Sequence, residues 1–141
     1  MKIGLAPGCF DGLHAGHLHL LGQATLKCDH LVIALASDER VTMLKGKDHP
    51  RNNFATRAAA LRKTGMASTI TFVNSTEDEL NLIMKLHPRF LFKGTDYQGK
   101  QIAGQSLLEA LGGEVMLIPL MGSYGSSGPK SRGTDARTCR P

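Results

Sequence analysis

The chain has 141 residues, 41% hydrophobic and 21% charged, the size and balance of one globular domain able to bury its own core. Its longest apolar runs, residues 31–36 and 115–121, fall far short of the roughly 18 residues that cross a bilayer, and the stretch before Asp11 does not read as a signal peptide. The net charge of +5 gathers in residues 129–141, where Lys130, Arg132, Arg137 and Arg140 meet one acid, Asp135; the rest is nearly neutral, which argues against a nucleic-acid binder.

Residues 2–6 predict a first strand, broken by Pro7 and Gly8. Leu18, Leu21, Ala24 and Leu26 recur at helical spacing and predict a helix over 17–26. Residues 30–36 are a continuous apolar run, the mark of a strand covered on both faces. A short helix is expected over 38–44, then a charged loop over 45–53 containing Pro50. Residues 54–63 are rich in Ala and Arg and predict a helix ending by Gly65. The β-branched stretch 69–73 predicts a strand. Ser75, followed three residues on by Asp78, opens a helix whose face carries Leu80, Ile83, Met84 and Leu86 and which stops at Pro88. A strand over 89–93, a polar loop over 94–99, a helix over 106–111 closed by Gly112 and Gly113, and a strand over 114–120 complete the pattern.

Alternating strands and helices, with about five strands, predict an α/β Rossmann-like domain: a parallel sheet with helices on both faces. Residues 1–128 form that domain in this reading, and 129–141 form a mobile basic tail, with no Leu, Ile, Val or Phe to repay its ordering entropy. Ligands of such sheets sit outside the carboxyl ends of the strands, so chemistry is expected in the loops after Ala6, Ala36, Val73, Lys93 and Leu120. Cys9, Cys28 and Cys139 are odd in number and widely spaced, which fits a reducing cytoplasmic compartment and leaves Cys9 as a small packing residue.

Gly8, Gly12 and Gly16 do not make the dinucleotide fingerprint, and the stretch from Gly94 to Lys100 is followed by Gln101 where a P-loop needs Ser or Thr. The informative stretch runs Gly8-Cys9-Phe10-Asp11-Gly12-Leu13-His14-Ala15-Gly16-His17 and opens the first helix. A helix start offers free N–H groups and a positive dipole end to a phosphate. His14 and His17, three apart, can share one side of the first turn, and Gly16 lets a ligand approach the backbone. With His19 they offer a zinc site as the alternative; no second Cys or His cluster at metal spacing supports one, so phosphate is the stronger reading.

This His-x-Gly-His stretch resembles the signature of the cytidylyltransferase-like nucleotidyltransferases. The resemblance continues in order through Leu44-Lys45-Gly46, Thr56-Arg57-Ala58, Phe92-Lys93-Gly94-Thr95-Asp96-Tyr97, Ile102-Ala103-Gly104 and Gly112-Gly113-Glu114-Val115, covering about residues 3–127. It is most like the adenylyltransferase domain of bacterial heptose-phosphate enzymes, which make ADP-heptose for lipopolysaccharide; glycerol-3-phosphate cytidylyltransferase is a second relative. Two departures stand out. Pro7 replaces a commonly polar residue, and the closing motif is reduced to Gly125-Ser126-Ser127 before Gly128 and Pro129.

The resemblance implies transfer of a nucleotidyl group from a nucleoside triphosphate to a small phosphorylated substrate, with release of pyrophosphate and with Mg2+ accompanying the triphosphate. It implies catalytic roles for His14, His17 and Lys45. It implies nucleotide or phosphate contacts from Gly8, Cys9, Phe10, Asp11, Gly16, Lys93, Gly94, Asp96, Ser126 and Ser127. Arg57 is either a further contact or a salt-bridge partner that holds a loop. A nucleotide-binding module without turnover, and self-association of the chain, stay open at this point.

Overall fold

In the computed structural model, residues 1–94 and 102–119 are described. They form ten elements: β1 (Ile3–Gly8), α1 (Ala15–Lys27), β2 (His30–Ala36), α2 (Asp38–Lys45), α3 (Phe54–Lys63), β3 (Thr69–Val73), α4 (Thr76–Leu86), β4 (Phe90–Gly94), α5 (Gln105–Ala110) and β5 (Glu114–Ile118). The five strands make one parallel sheet in the order β3-β2-β1-β4-β5. The chain winds outward from β1 to β3 on one side and then from β4 to β5 on the other, so strand order reverses between β1 and β4. The α/β sheet architecture expected from the alternating pattern is borne out.

The apolar run at residues 30–36 explains how the layers divide. Strand side chains alternate in direction. Leu31, Ile33 and Leu35 of β2 join a core with Leu20, Leu21 and Ala24 of α1 and Ala58 and Leu61 of α3. Val32 and Ala34 turn the other way, into a core with Ile83 of α4 and Leu108 of α5. Leu21, Ile33, Leu35 and Leu61 have no exposed surface, and each such side chain stabilises the fold by about 1.5–3 kcal/mol.

Element boundaries depart from expectation where side chains satisfy the backbone differently. β1 runs through Pro7 to Gly8 rather than breaking there. The ladder between β1 and β4 covers Gly4↔Phe90 and Leu5↔Leu91, whereas β1 pairs with β2 as far as Gly8↔Leu35. Pro7 therefore lies where β1 has a ladder on one side, a place that tolerates a missing N–H. α1 starts at Ala15, two residues before the predicted 17, because His14 caps it. Lys45 closes α2 instead of opening a loop; Gly46, at φ 110°, ends the helix. β5 stops at Ile118, just before Pro119. The basic tail at 129–141 lies outside the described residues.

Among the described residues, no helix is long and apolar enough to cross a membrane.

Candidate active site

The carboxyl ends of β1 and β4 flank the point where strand order reverses, the position at which open α/β sheets bind ligands. Pairing between these strands stops at Leu5↔Leu91, although β1 continues to Gly8 and β4 to Gly94. The histidine stretch leaves β1 at this end, and Lys93 and Gly94 end β4 beside it.

Phe10 makes the turn out of β1. Its φ of 46° lies in the left-handed region, uncommon for a bulky residue. The conformation accompanies complete burial of the ring in the core, 5.3 Å from the ring of His17. Gly12, at φ 83°, takes the next left-handed position.

His14 and His17 build the head of α1 together. His14 is the extended N-cap, and its Nδ1 accepts from the Gly16 N–H at 3.0 Å. The Nδ1 of His17 accepts from the His14 N–H at 3.3 Å. This is a capping box in which imidazoles replace the usual hydroxyl and carboxylate. The two rings stack with centroids 3.8 Å apart. An Nδ1 that accepts must carry its lone pair, so this hydrogen-bond pattern fits the neutral tautomer with the proton on Nε2. His17 is 2% exposed.

Gly16 has a use the sequence reading did not anticipate. A Cβ there would meet Cε1 of His14 at 2.9 Å and Nδ1 at 3.1 Å. The space is taken by the histidine ring itself, folded over the first turn. His19, two residues beyond His17, is half-buried on the helix.

Asp11 and Arg57 are buried and tied to structure. The Asp11 carboxylate, 4% exposed, accepts from the Arg51 N–H at 2.6 Å, the Asn52 N–H at 3.0 Å and the Asn52 side-chain amide at 2.9 Å. Burial by itself pushes this carboxyl up, but those hydrogen bonds and the nearby Arg57 charge outweigh it and hold it below the ordinary value. Arg57, 1% exposed, donates from Nη1 to the carbonyls of Cys9 (3.0 Å) and Ala36 (2.8 Å). Its Nε donates to the Asn52 carbonyl at 2.9 Å, and its Nη2 pairs with Asp38 at 2.6 Å. Asp38 and Asn52 were not singled out from sequence; no spacing signal links Asp38 to Arg57, 19 residues away, or Asn52 to Asp11, 41 residues away.

Gly8 and Cys9 are buried at the end of β1 and the start of its loop, and Cys9 packs with Ala36 and Val41. Lys45 is half-buried at the end of α2, and Lys93 is almost wholly buried in β4. Asp96, Ser126 and Ser127 lie outside the described residues. Among the described residues, no group of three His, Cys, Asp or Glu side chains comes together as a metal site.

Comparison with known proteins agrees with this fold. The chain is 39% identical over 127 residues to the bifunctional protein HldE of Hyphomonas neptunium, covering 90% of this chain and 26% of that protein. It is 40% identical over 129 residues to HldE of Granulibacter bethesdensis, covering 91% of this chain and 26% of the other. The chain thus spans about a quarter of the length of these relatives. A crystal structure of the lipopolysaccharide core biosynthesis protein from Thermoplasma volcanium superposes with a TM-score of 0.66 at 25% identity, covering 85% of this chain and 96% of that one. Pantothenate synthetase from Thermus thermophilus, at 18% identity and a TM-score of 0.60, shares the fold. The profile of the cytidylyltransferase-like family matches residues 5–127, from β1 past the end of β5 and across the histidine-capped helix, and the chain belongs to that family.

Proposed function

We propose that the chain is a nucleotidyltransferase that moves an adenylyl group from ATP to a sugar phosphate of the heptose 1-phosphate type. In this reaction a phosphate oxygen of the sugar attacks the α-phosphorus, the bond to the β-phosphate bridging oxygen breaks, and pyrophosphate leaves. The observation that carries this reading is the paired-histidine cap of α1, in a family member related to the HldE proteins.

A sugar phosphate is already anionic at neutral pH, so the protein needs no strong base. Its work is positioning and the stabilisation of charge. In this reading the Nε2–H groups of His14 and His17 donate to triphosphate oxygens as charge builds on the departing pyrophosphate. The dipole of α1 adds positive potential at the same place. Lys45 and Lys93 supply fixed positive charge, and the backbone from Gly8 to Asp11, with Gly16, shapes the phosphate approach. Gly94 and Asp96 would lie by the nucleoside, and Ser126 and Ser127 by the phosphates. Magnesium, which favours oxygen ligands, would accompany the triphosphate and offset its charge. We take residues 1–128 as the transferase unit.

The test is a panel of ATP, CTP, GTP and UTP against sugar and polyol phosphates, read by pyrophosphate release. Release with ATP and a heptose 1-phosphate is the expected result. Release with CTP and glycerol 3-phosphate, and none with ATP, overturns the donor and acceptor but keeps the reaction type. No release with any pair overturns the transferase reading.

A further inference from the structure

The segment that bears Lys45 is fastened at both ends, and both fastenings lead back to the loop that carries the histidines. At its start, Asp38 pairs with Nη2 of Arg57, whose Nη1 holds the Cys9 carbonyl and the Ala36 carbonyl. At its far end, Asn52 is gripped from two directions. Its carbonyl accepts from Nε of Arg57, while its N–H and side-chain amide donate to Asp11. Arg51 adds a backbone N–H to the same carboxylate. Cys9 and Asp11 belong to the loop between β1 and α1, which ends at His14.

We infer that Arg57 and Asp11 form a two-sided latch that sets Lys45 relative to His14 and His17, and so act as positioning residues rather than as phosphate contacts. This rests on the transferase reading above for the roles of Lys45 and the histidines. The geometry favours positioning for two reasons. Arg57 is 1% exposed, with Nε, Nη1 and Nη2 each donating to an acceptor of the protein, and Asp11 is 4% exposed, with both oxygens accepting from residues 51 and 52. In addition, the groups they hold are four separate segments: the loop after β1, the end of β2, the start of α2 and the 46–53 loop. A buried guanidinium with a planar fork suits such a junction, because its donors point in fixed, different directions. Lysine, a single charge on a flexible stem, cannot reproduce it.

Asp11→Asn keeps the size of the side chain but replaces one acceptor oxygen with an amide group that cannot accept the facing N–H. The experiment is a double-mutant cycle of Asp11→Asn with Lys45→Ala, read as kcat and KM for pyrophosphate release. Hydrogen exchange across residues 38–53 is followed in parallel. Asp11→Asn is expected to lower kcat by roughly tenfold in the wild-type background, since small misplacements of a catalytic group are costly. In the Lys45→Ala background it should change kcat by less than about twofold, because contacts that act through one another are not additive. Exchange at 46–53 should quicken while β4 and β5 stay protected.

An equal loss of turnover in both backgrounds overturns the latch, since Asp11 then acts elsewhere. So does unchanged exchange at 46–53. If no chain turns over any triphosphate, the transferase reading fails separately. Exchange in Asp11→Asn and Arg57→Lys then decides the latch alone: faster exchange at 38–53 supports it and unchanged exchange overturns it.

Discussion

Helices α1 and α4 both start just beyond a strand of the same sheet, yet their heads are built from opposite chemistry. α4 is capped by Ser75, whose hydroxyl accepts from the Asp78 N–H at 3.1 Å. Its first turn carries Glu77, Asp78 and Glu79, and the Asp78 carboxylate also accepts from the Asn74 N–H. Those acids answer the positive end of the helix with the protein's own negative charge. α1 has no acid in its first turn and is capped by the neutral acceptor of an imidazole. The dipole of α1 is left for something else to answer. The acid-rich head of α4 serves stability; in the proposed reading the head of α1 meets an anion, and of these two helices α1 is the one that follows a strand at the reversal of strand order.

The largest way to break this contrast is to remove a histidine. His14→Ala or His17→Ala is expected to lower turnover by about 10²–10³, the usual cost of one preorganised donor. Loss of the cap should cost about 1 kcal/mol of stability as well. Ser75→Ala in α4 should cost a similar amount of stability and leave turnover alone. Pyrophosphate release measured beside thermal melts of the three variants checks both halves. Turnover that falls as far in Ser75→Ala would show that helix stability, not donor chemistry, drives the effect.

A smaller and more selective change is Gly16→Ala. The new Cβ must push the His14 ring out of a 2.9 Å contact. Alanine is the better helix former by up to about 1 kcal/mol, which offsets a weakened His14 cap, so net stability should change little. Turnover is expected to fall, by up to about a hundredfold if the ring moves by an ångström. A variant that is as stable as the wild type but slower separates ring position from fold integrity. A variant with wild-type turnover would show that the ring can shift without consequence.

Which parts of this were legible in the sequence follows from how local their causes are. The buried run at 30–36 announced a two-faced strand because alternation and apolarity are properties of neighbours. Ser75 and Asp78 announced a helix start for the same reason. The stretch from Gly8 to His17 was visible because its glycines and histidines lie within ten consecutive residues. Arg57 was half legible: a salt-bridge partner was one of its two readings, and its pair with Asp38 is present. Its burial was not legible, because the carbonyls that hold it come from residues 9, 36 and 52 and meet only in three dimensions. Asp11 reads as a loop acid beside a phosphate site until Asn52 arrives from 41 residues away. Pro7 read as a strand breaker because its tolerance depends on where a neighbouring strand stops pairing.

Making α1 resemble α4 tests the contrast more gently. Ala15 is exposed in the first turn, and Ala15→Glu adds the missing acid there. The charge should stabilise the helix by about 0.3–1 kcal/mol. The same charge opposes an incoming triphosphate, so KM for the nucleotide should rise by about two- to fivefold with little change in kcat. Added salt should shrink the difference, since exposed charges are screened. A KM that stays put would mean that the dipole of α1 is not facing the substrate.

The smallest effect concerns Asp11 and acid. Its carboxyl in the folded chain titrates below the ordinary value of 3.8, because the N–H groups of Arg51 and Asn52 and the Asn52 amide favour the charged form more than burial opposes it. The unfolded chain therefore binds a proton at Asp11 more readily than the folded chain does. Stability from this group is fully present above the unfolded value near 3.8 and is lost as pH falls through the lower folded value. The comparison to make is the difference in unfolding free energy between wild type and Asp11→Asn, measured by urea titration from pH 6 down to pH 2. Wild type should be the more stable at the upper end, with the gap roughly constant until about pH 4 and closing below it. Other carboxylates titrate in both proteins and cancel in the difference, which leaves Asp11 as the group that is read. A gap that stays open at pH 2 would show that the neutral acid holds residues 51 and 52 as well as the carboxylate does. The charge would then be incidental to the junction, and the shape of the loop alone would hold the 46–53 segment against the histidine stretch.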